Sequence, residues 1–306
     1  AGERTGNERG ATLIELMVAM VAALLTVAAM MGVFSVGQRL YRTQEQVSDT
    51  QQNVRVSVDA IARDLRMANF GPCGATVSSF GGAIQLLPIT HVNGAGAAPD
   101  QVAIMYADGN TEVGVDKQMP SESAAMFVTD DTPFKVDDIV IVTDCAHSDV
   151  LQITNINIVG GDKSFVHNAV AGSLNQTASL SWSYGPGSKV YKVNCIRYRI
   201  DAATAELRRE TGGSVCQTPG AAVAPAVGNP VVLAGNVEGL ELAYGLDTNG
   251  ADADGNGCND GDGTIDAWIN TFVPATQACQ VSQVRAVRVN VLARTGTPQK
   301  DFSYPA

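Results

Sequence analysis

Gly10-Ala-Thr-Leu-Ile-Glu-Leu-Met-Val-Ala-Met20 opens the run that decides how this chain is built. One carboxylate, Glu15, stands at its head, and from Leu16 to Val36 no charged residue follows. As a helix that run is roughly 31 Å long, about the thickness of the hydrocarbon core of a bilayer. A carboxylate at the start of such a helix is costly to bury, so a use for it is expected; the alternative is that Glu15 sits near the headgroups and snorkels. A secretory signal would carry a shorter apolar core with a small-residue cleavage site behind it. Arg4 and Arg9 precede the run and point to a cytoplasmic N-terminus, a signal diluted by Glu3 and Glu8. The sequence opens on Ala1 rather than Met, which leaves room for further residues ahead of it.

Beyond Val36 the chain turns polar but keeps a helical beat. Leu40, Val47, Val54, Val58, Ile61, Leu65 and Ala68 mark one apolar face, with Arg39, Glu45, Arg55, Asp59 and Arg63 among the intervening positions. No proline occurs before Pro72, and Gly71-Pro72 is a strong stop. The pattern predicts one near-continuous helix from about Ala11 to Phe70, apolar all round in its first half and amphipathic in its second. Gly32 and Gly37 weaken its middle. Short β-branched runs follow: Gln101–Ala107, Asp138–Thr143, Val150–Val159, Lys189–Ile200, Val231–Tyr244 and Val281–Arg294. In the last, Val287, Val289 and Val291 alternate with Arg288 and Asn290, the pattern of a half-buried antiparallel strand. The expected fold is therefore α+β, with the stripe of residues 40–68 covering an antiparallel sheet. Gly94–Pro99 and Thr218–Pro225 read as loops, with a subdomain boundary near 218–230.

The 306 residues are 45% hydrophobic and 17% charged, enough for one large domain or two small ones beside a membrane segment. The net charge of −11, with no Lys/Arg-rich stripe, argues against direct nucleic-acid binding. All six cysteines, Cys73, Cys145, Cys195, Cys216, Cys258 and Cys279, lie beyond the apolar run. An even count there suggests disulfides in an oxidising compartment. Six cysteines allow many pairings; chain order favours Cys73–Cys145, Cys195–Cys216 and Cys258–Cys279. The histidines His91, His147 and His167 lie in separate segments without ligand spacing, each reading as a surface or satisfied core residue. No nucleophile elbow, phosphate loop or dinucleotide fingerprint appears, so no catalytic set can be assembled and an enzyme is not expected.

Residues 247–266 form an acidic, glycine-rich stretch containing six aspartates. Ca²⁺ requires six to eight oxygens, which tight Gly-rich turns can bring to one point. Asp252-x-Asp254-x-Asn256-Gly257 matches the first half of an EF-type loop, but Gly263 stands where the bidentate Glu belongs. Asp260-x-Asp262-Gly263 and Asp266 match part of a second frame, whose first ligand position holds Cys258. Asp247, Asn249, Asp252, Asp254, Asn256, Asp260, Asp262 and Asp266 are thus the candidate calcium ligands. The competing reading is an acidic hairpin loop pinned by Cys258.

The stretch Gly10–Met20 resembles the processing site of type IV prepilins, where a dedicated peptidase cuts after a glycine ahead of a Thr-Leu-Ile-Glu-Leu core. The helix also looks like the assembly helix of pilins and of type II secretion pseudopilins. Gln51–Asn69, followed by Gly71-Pro-Cys73, resembles the post-membrane helix of the PilW-like group of large minor pilins. Gln101–Gly109, Asp138–Thr154 and Tyr244–Asp266 resemble its later blocks. Two departures stand out: Ala11 occupies the usual position of Phe, and Gly32 falls roughly where many pilins carry a proline.

The resemblance implies a type IV pilin-like fold with an enlarged β-rich head. It implies a leader at 1–10, a transmembrane and filament-core helix at 11–37, its amphipathic half at 38–70, and a periplasmic or extracellular domain at 71–306. Gly10 and Ala11 become the processing residues. Glu15 becomes the assembly residue, pairing in a filament with the terminal amine of a neighbour. Implied partners are major and minor pilins, the prepilin peptidase and, before assembly, the inner membrane; the later location is the pilus and cell surface. The function expected is that of a minor pilin that initiates, or sits at the tip of, a type IV pilus. Alternatives are a pseudopilin of a type II secretion tip complex and a calcium-dependent, membrane-tethered adhesin.

Overall fold

The structure, a computed structural model, describes residues 12–68, 71, 77–79, 88–94, 96, 98–212, 230–252, 258–259, 261–272 and 277–295. The chain divides into two compact units, residues 1–51 with 295–306, and residues 52–294. Helix α1 (Leu13–Met67) crosses the boundary at residue 51 and is continuous through Gly32 and Gly37. Its 55 residues extend about 80 Å at ~1.5 Å each. The expected span of Ala11–Phe70 holds to within two or three residues at each end. In the first unit every described side chain from Leu13 to Val36 is exposed, as the unbroken apolar run anticipates for a segment that needs an apolar surrounding.

In the second unit the helix buries Ser57, Ile61 and Asp64, with Val54, Val58, Ala60, Leu65 and Ala68 half-buried beside them. The apolar stripe therefore packs on the sheet from Val54 onward. Leu40 and Val47, expected to belong to the same buried face, stay 58% and 43% exposed.

Among the described residues the main sheet has eight strands. β1 (Val77–Ser79) pairs in parallel with β6 (Ser148–Gln152); the remaining pairings are antiparallel. β6 continues through β5 (Ile139–Thr143) to β9 (Lys189–Asp201), then to β10 (Glu206–Thr211) and β11 (Val231–Ala234). On its other edge β9 pairs with β3 (Gln101–Gly114), which pairs with β2 (Ile89–Val92). A three-stranded sheet joins β4 (Met126–Val128), β8 (Asp162–Val166) and β7 (Asn155–Val159). Another joins β13 (Ala267–Ile269), β12 (Val237–Leu246) and β14 (Val284–Ala293).

Both faces of the central sheet are buried. Ile196, Tyr198 and Ile200 of β9 join Ile61, Val102, Ile104, Leu240 and Leu242 in one apolar cluster under the helix and the β12–β14 sheet. Val193 and Cys195, on the opposite side of the strand, join Met105, Ala107, Ile141 and Val150. A third cluster gathers Val113, Val140, Leu151, Val190 and Phe165 beneath the β4–β8–β7 sheet. Strand β3 serves two clusters through its two faces and reaches the third beyond a shift of its register with β9 between Asp108 and Val113. Even-numbered Val102 and Ile104 face the first cluster, and after the bulge odd-numbered Val113 faces the third.

Three expected strands are subdivided. Val150–Val159 breaks after Gln152, and Val231–Tyr244 breaks at Gly235-Asn236, where Asn236 takes a left-handed φ of 58°. Val281–Arg294 is a short helix, α2 (Gln277–Ser282), followed by β14. Val281 is buried in the first cluster from that helix rather than from the strand. Within β14 the alternation holds, with Val287, Val289 and Val291 half-buried and Arg288 and Asn290 exposed. The expected loop at Thr218–Pro225 and the boundary near 218–230 lie essentially outside the described residues.

A buried carboxylate fixes the helix on the sheet. Asp64, 3% exposed, accepts a 2.6 Å hydrogen bond from the Tyr198 hydroxyl of β9 and a 3.0 Å bond from Arg209 Nε of β10. Burial, with the Asp64 carboxylate adding to it, pushes the Tyr198 hydroxyl above its ordinary range. Removing Asp64 leaves a buried phenol and a guanidinium without their acceptor. We therefore expect Asp64→Ala to destabilise the fold by about 3 kcal/mol in denaturant unfolding. Asp59→Ala, on the exposed Arg55–Asp59 pair, should leave the midpoint in place.

Candidate functional site

The start of α1 explains what Glu15 does within one chain. Thr12 precedes the first helical residue, and Leu16 N–H closes the first turn onto the Thr12 carbonyl at 3.2 Å. The Glu15 Oε2 atom accepts from the Thr12 backbone N–H at 2.9 Å and from the Thr12 hydroxyl at 3.1 Å. Glu15 N–H in turn approaches Thr12 Oγ1 at 3.4 Å. This is a reciprocal capping box, Thr at the cap and Glu three residues on, which satisfies helix-end donors that a membrane would leave unmet. The Thr-x-x-Glu spacing ahead of an apolar run is the sequence signal for it. Among the described residues Glu15 Oε1 has no partner, so one carboxylate oxygen stays available to a second group. Gly10 and Ala11, the expected processing pair, lie outside the described residues.

From Leu13 the helix is long and apolar enough to cross a membrane. A Cβ added at Gly32 or Gly37 would meet nothing within 4 Å, so neither glycine is there to admit a neighbour within the chain. Within the chain their effect is on helix propensity.

The acidic stretch is a loop braced by its own aspartates. Asp247, fully buried at the end of β12, accepts the backbone N–H groups of Asp262 and Gly263, each at 2.9 Å, and lies 3.4 Å from Arg285 Nε. Asp266 accepts from Thr248 N–H at 2.8 Å and Asn249 N–H at 3.0 Å, and from the Asn249 side chain. The Thr264 hydroxyl and N–H bind the Asp262 carboxylate and hold it below the usual carboxylate range. Gly261, with a φ of 84°, passes so close to Asp247 that a Cβ would stand 2.2 Å from its carboxylate. Asn259 Nδ2 donates to Thr248 O within the loop at 2.9 Å, and Gln283 Nε2, just past the end of α2, donates to Asn259 O at 3.1 Å.

Of the expected calcium ligands, Asp247, Asn249, Asp262 and Asp266 are thus engaged within the loop. Asp254, Asn256 and Asp260 lie outside the described residues, and Asp252, which is described, is likewise not free. Among the described residues no group of three or more His, Cys, Asp or Glu side chains converges on a metal-sized site.

Cys258 and Cys279 form the disulfide that chain order favours, linking the loop to α2. Cys145 and Cys195 are also disulfide-bonded, and their expected partners, Cys73 and Cys216, lie outside the described residues. The Cys258–Cys279 bridge closes a loop of 21 residues. Its removal in Cys258→Ser/Cys279→Ser should lower unfolding stability by about 3 kcal/mol on loop-entropy grounds. The accompanying limited-proteolysis profile should show new cuts within 247–266, since the bridge joins this loop to α2.

Residues 198–305 match the family model of the Type IV Pilus-assembly protein W. The matched stretch is about a third of the chain. It takes in the end of β9, strands β10 to β14, the braced acidic loop and the Cys258–Cys279 bridge. No curated protein and no solved structure matches the chain. The match supports a type IV pilus-related family and, with the apolar α1, a place in pilus assembly at the membrane or in the pilus, a structural role rather than a catalytic one.

Proposed function

We propose that this chain is a minor pilin that initiates assembly of a type IV pilus or occupies its tip, polymerising through α1. The observation that carries the reading is the pairing of two features in one chain. One is a capped helix, exposed and apolar from Leu16 to Val36 with a single carboxylate at its head. The other is a pilus-assembly family match at the opposite end of the sequence.

In this reading residues 1–10 are a leader and 11–37 the membrane and filament-core segment. Residues 38–70 are the amphipathic half of the same helix, and 71–306 the exported head. Cleavage after Gly10 frees an α-amine at Ala11, and in the filament that amine meets the Glu15 carboxylate of a neighbour. The capping box makes this compatible with helix integrity. Oε2 holds Thr12 while Oε1 receives the incoming ammonium, so the pair neutralises in an apolar setting without unwinding the first turn. The exposed Leu40 and Val47 then become contact positions for adjoining helices rather than part of the head.

The test is intact-mass analysis of protein recovered from sheared surface filaments and from membranes. We expect a mature N-terminus at methylated Ala11 in the filament fraction. An uncut Gly10–Ala11 bond in both fractions would exclude the reading. Glu15→Gln separates the two roles of the carboxylate, since a Gln at this position still accepts the cap bonds. It should leave the helix intact by circular dichroism and remove the chain from filaments; unchanged incorporation would show that the charge is not used.

A further inference from the structure

We propose that Trp182, its indole backed on one face by the His147 imidazole, forms a rigid aromatic platform on the β-rich unit that docks a neutral saccharide chain. The imidazole of His147 and the indole of Trp182 lie parallel, 4.0 Å between centroids with 6° between planes. Trp182 remains 47% exposed.

Each ring is held by a separate device. His147 sits in the turn between β5 and β6, where Asp144 Oδ1 accepts the N–H groups of Ala146 at 2.9 Å and His147 at 2.5 Å. Asp144 Oδ2 contacts His147 Nδ1 at 3.1 Å, and Thr143 Oγ1 donates to the His147 carbonyl at 3.0 Å. Trp182 sits between two residues that one carboxylate grips. Asp149, fully buried, accepts from Ser181 N–H at 3.0 Å, the Ser181 hydroxyl at 2.7 Å and the Tyr184 hydroxyl at 2.8 Å. A buried carboxylate is expensive unless several donors meet it. Here those donors flank an exposed tryptophan that the apolar cores do not use. Fixing the residues around it removes most of the ordering cost that a ligand would otherwise meet.

The occupant follows from what surrounds the rings. Within residues 180–184 the other large side chains, Leu180 and Tyr184, are buried, so Trp182 does not extend an apolar patch there as a protein interface core would require. The nearby Asp144 and Asp149, on a chain of net charge −11, disfavour nucleic acids and acidic sugars. A neutral hexopyranose fits both conditions. Its axial hydrogens give a flat C–H face that packs on an aromatic ring, and its equatorial hydroxyls reach the polar edge.

The platform is independent of whether α1 assembles into a filament, so the test needs only the folded full chain, solubilised in a detergent that carries no sugar. The chain has two tryptophans, and the difference spectrum between wild type and Trp182→Ala isolates Trp182 emission. We expect cellotetraose or chitotetraose to shift that emission saturably to the blue, with sialyllactose giving at least tenfold weaker binding. Trp182→Ala should abolish saccharide binding by an independent method such as isothermal calorimetry. His147→Ala should weaken it by up to about tenfold, the worth of an aromatic contact. Absence of any saturable shift up to roughly 10 mM saccharide, a concentration that would largely fill even a site with a millimolar Kd, overturns the proposal. So does binding retained by a folded Trp182→Ala protein. A shift that depends on protein concentration without saccharide also overturns it and assigns the platform to self-contact.

Discussion

The second unit depends on a negative charge placed where the helix pattern calls for an apolar side chain. Apolar contacts between α1 and the sheet are non-directional, so on their own they leave the helix free to rotate or slide by a fraction of a turn. Asp64 removes that freedom by taking one donor from β9 and one from β10. The same device recurs elsewhere. Asp100 accepts the N–H groups of Gly94 and Leu242, and its carboxylate lies 3.1 Å from His91. Glu210 is gripped by Arg197 and Arg199, and Asp247 holds the acidic loop. An acidic chain has thus turned a share of its carboxylates inward as fasteners between segments. Each accepts from at least two donors, as a carboxylate removed from water requires.

The sheet to which the helix is fastened has little free face to offer. Its central strand β9 pairs with β3 along one edge and with β5 and β10 along the other, and apolar clusters cover both sides. Chemistry that meets the outside is displaced to turns and strand ends. The Asp144–His147 turn, the segment around Trp182 and the loop between β12 and β13 are such places, and each has a carboxylate or a disulfide holding it.

Much of this was legible in the residues. The helix follows from periodicity and from the absence of proline, and the antiparallel strands from β-branched runs, because those signals depend on neighbours close in sequence. Asp64 and Ser57 were not legible. A polar residue on an apolar face looks like an interruption until its partner is seen, and Tyr198 lies 134 residues away. The strand break at Gln152 and the α2 turn reflect tertiary pairing that overrides local preference, whereas the break at Gly235-Asn236 is local turn chemistry. The extent of the stripe misled in a different way. Leu40 and Val47 carry the same pattern as Ile61 without being covered by the sheet, because periodicity records that a face is apolar and not what covers it. In the acidic loop the composition pointed to oxygen ligands. The geometry shows several of those oxygens already accepting N–H groups, which a count of aspartates cannot foresee.

The spacing of the Asp64 contact along the chain also sets an order of events. A ribosome delivers α1 first, and the groups that receive its polar anchor arrive 134 and 145 residues later. Asp100 likewise waits 142 residues for the N–H of Leu242. Closing loops of that length is slow compared with forming a helix, so α1 exists well before the surface it will rest on. During that interval Ile61 and Leu65 have no sheet to cover them, and the nascent chain is exposed to wrong partners. A first half long and apolar enough to cross a membrane offers one remedy: a bilayer that takes it up would hold the start of the chain in place while the β-rich unit is still being made.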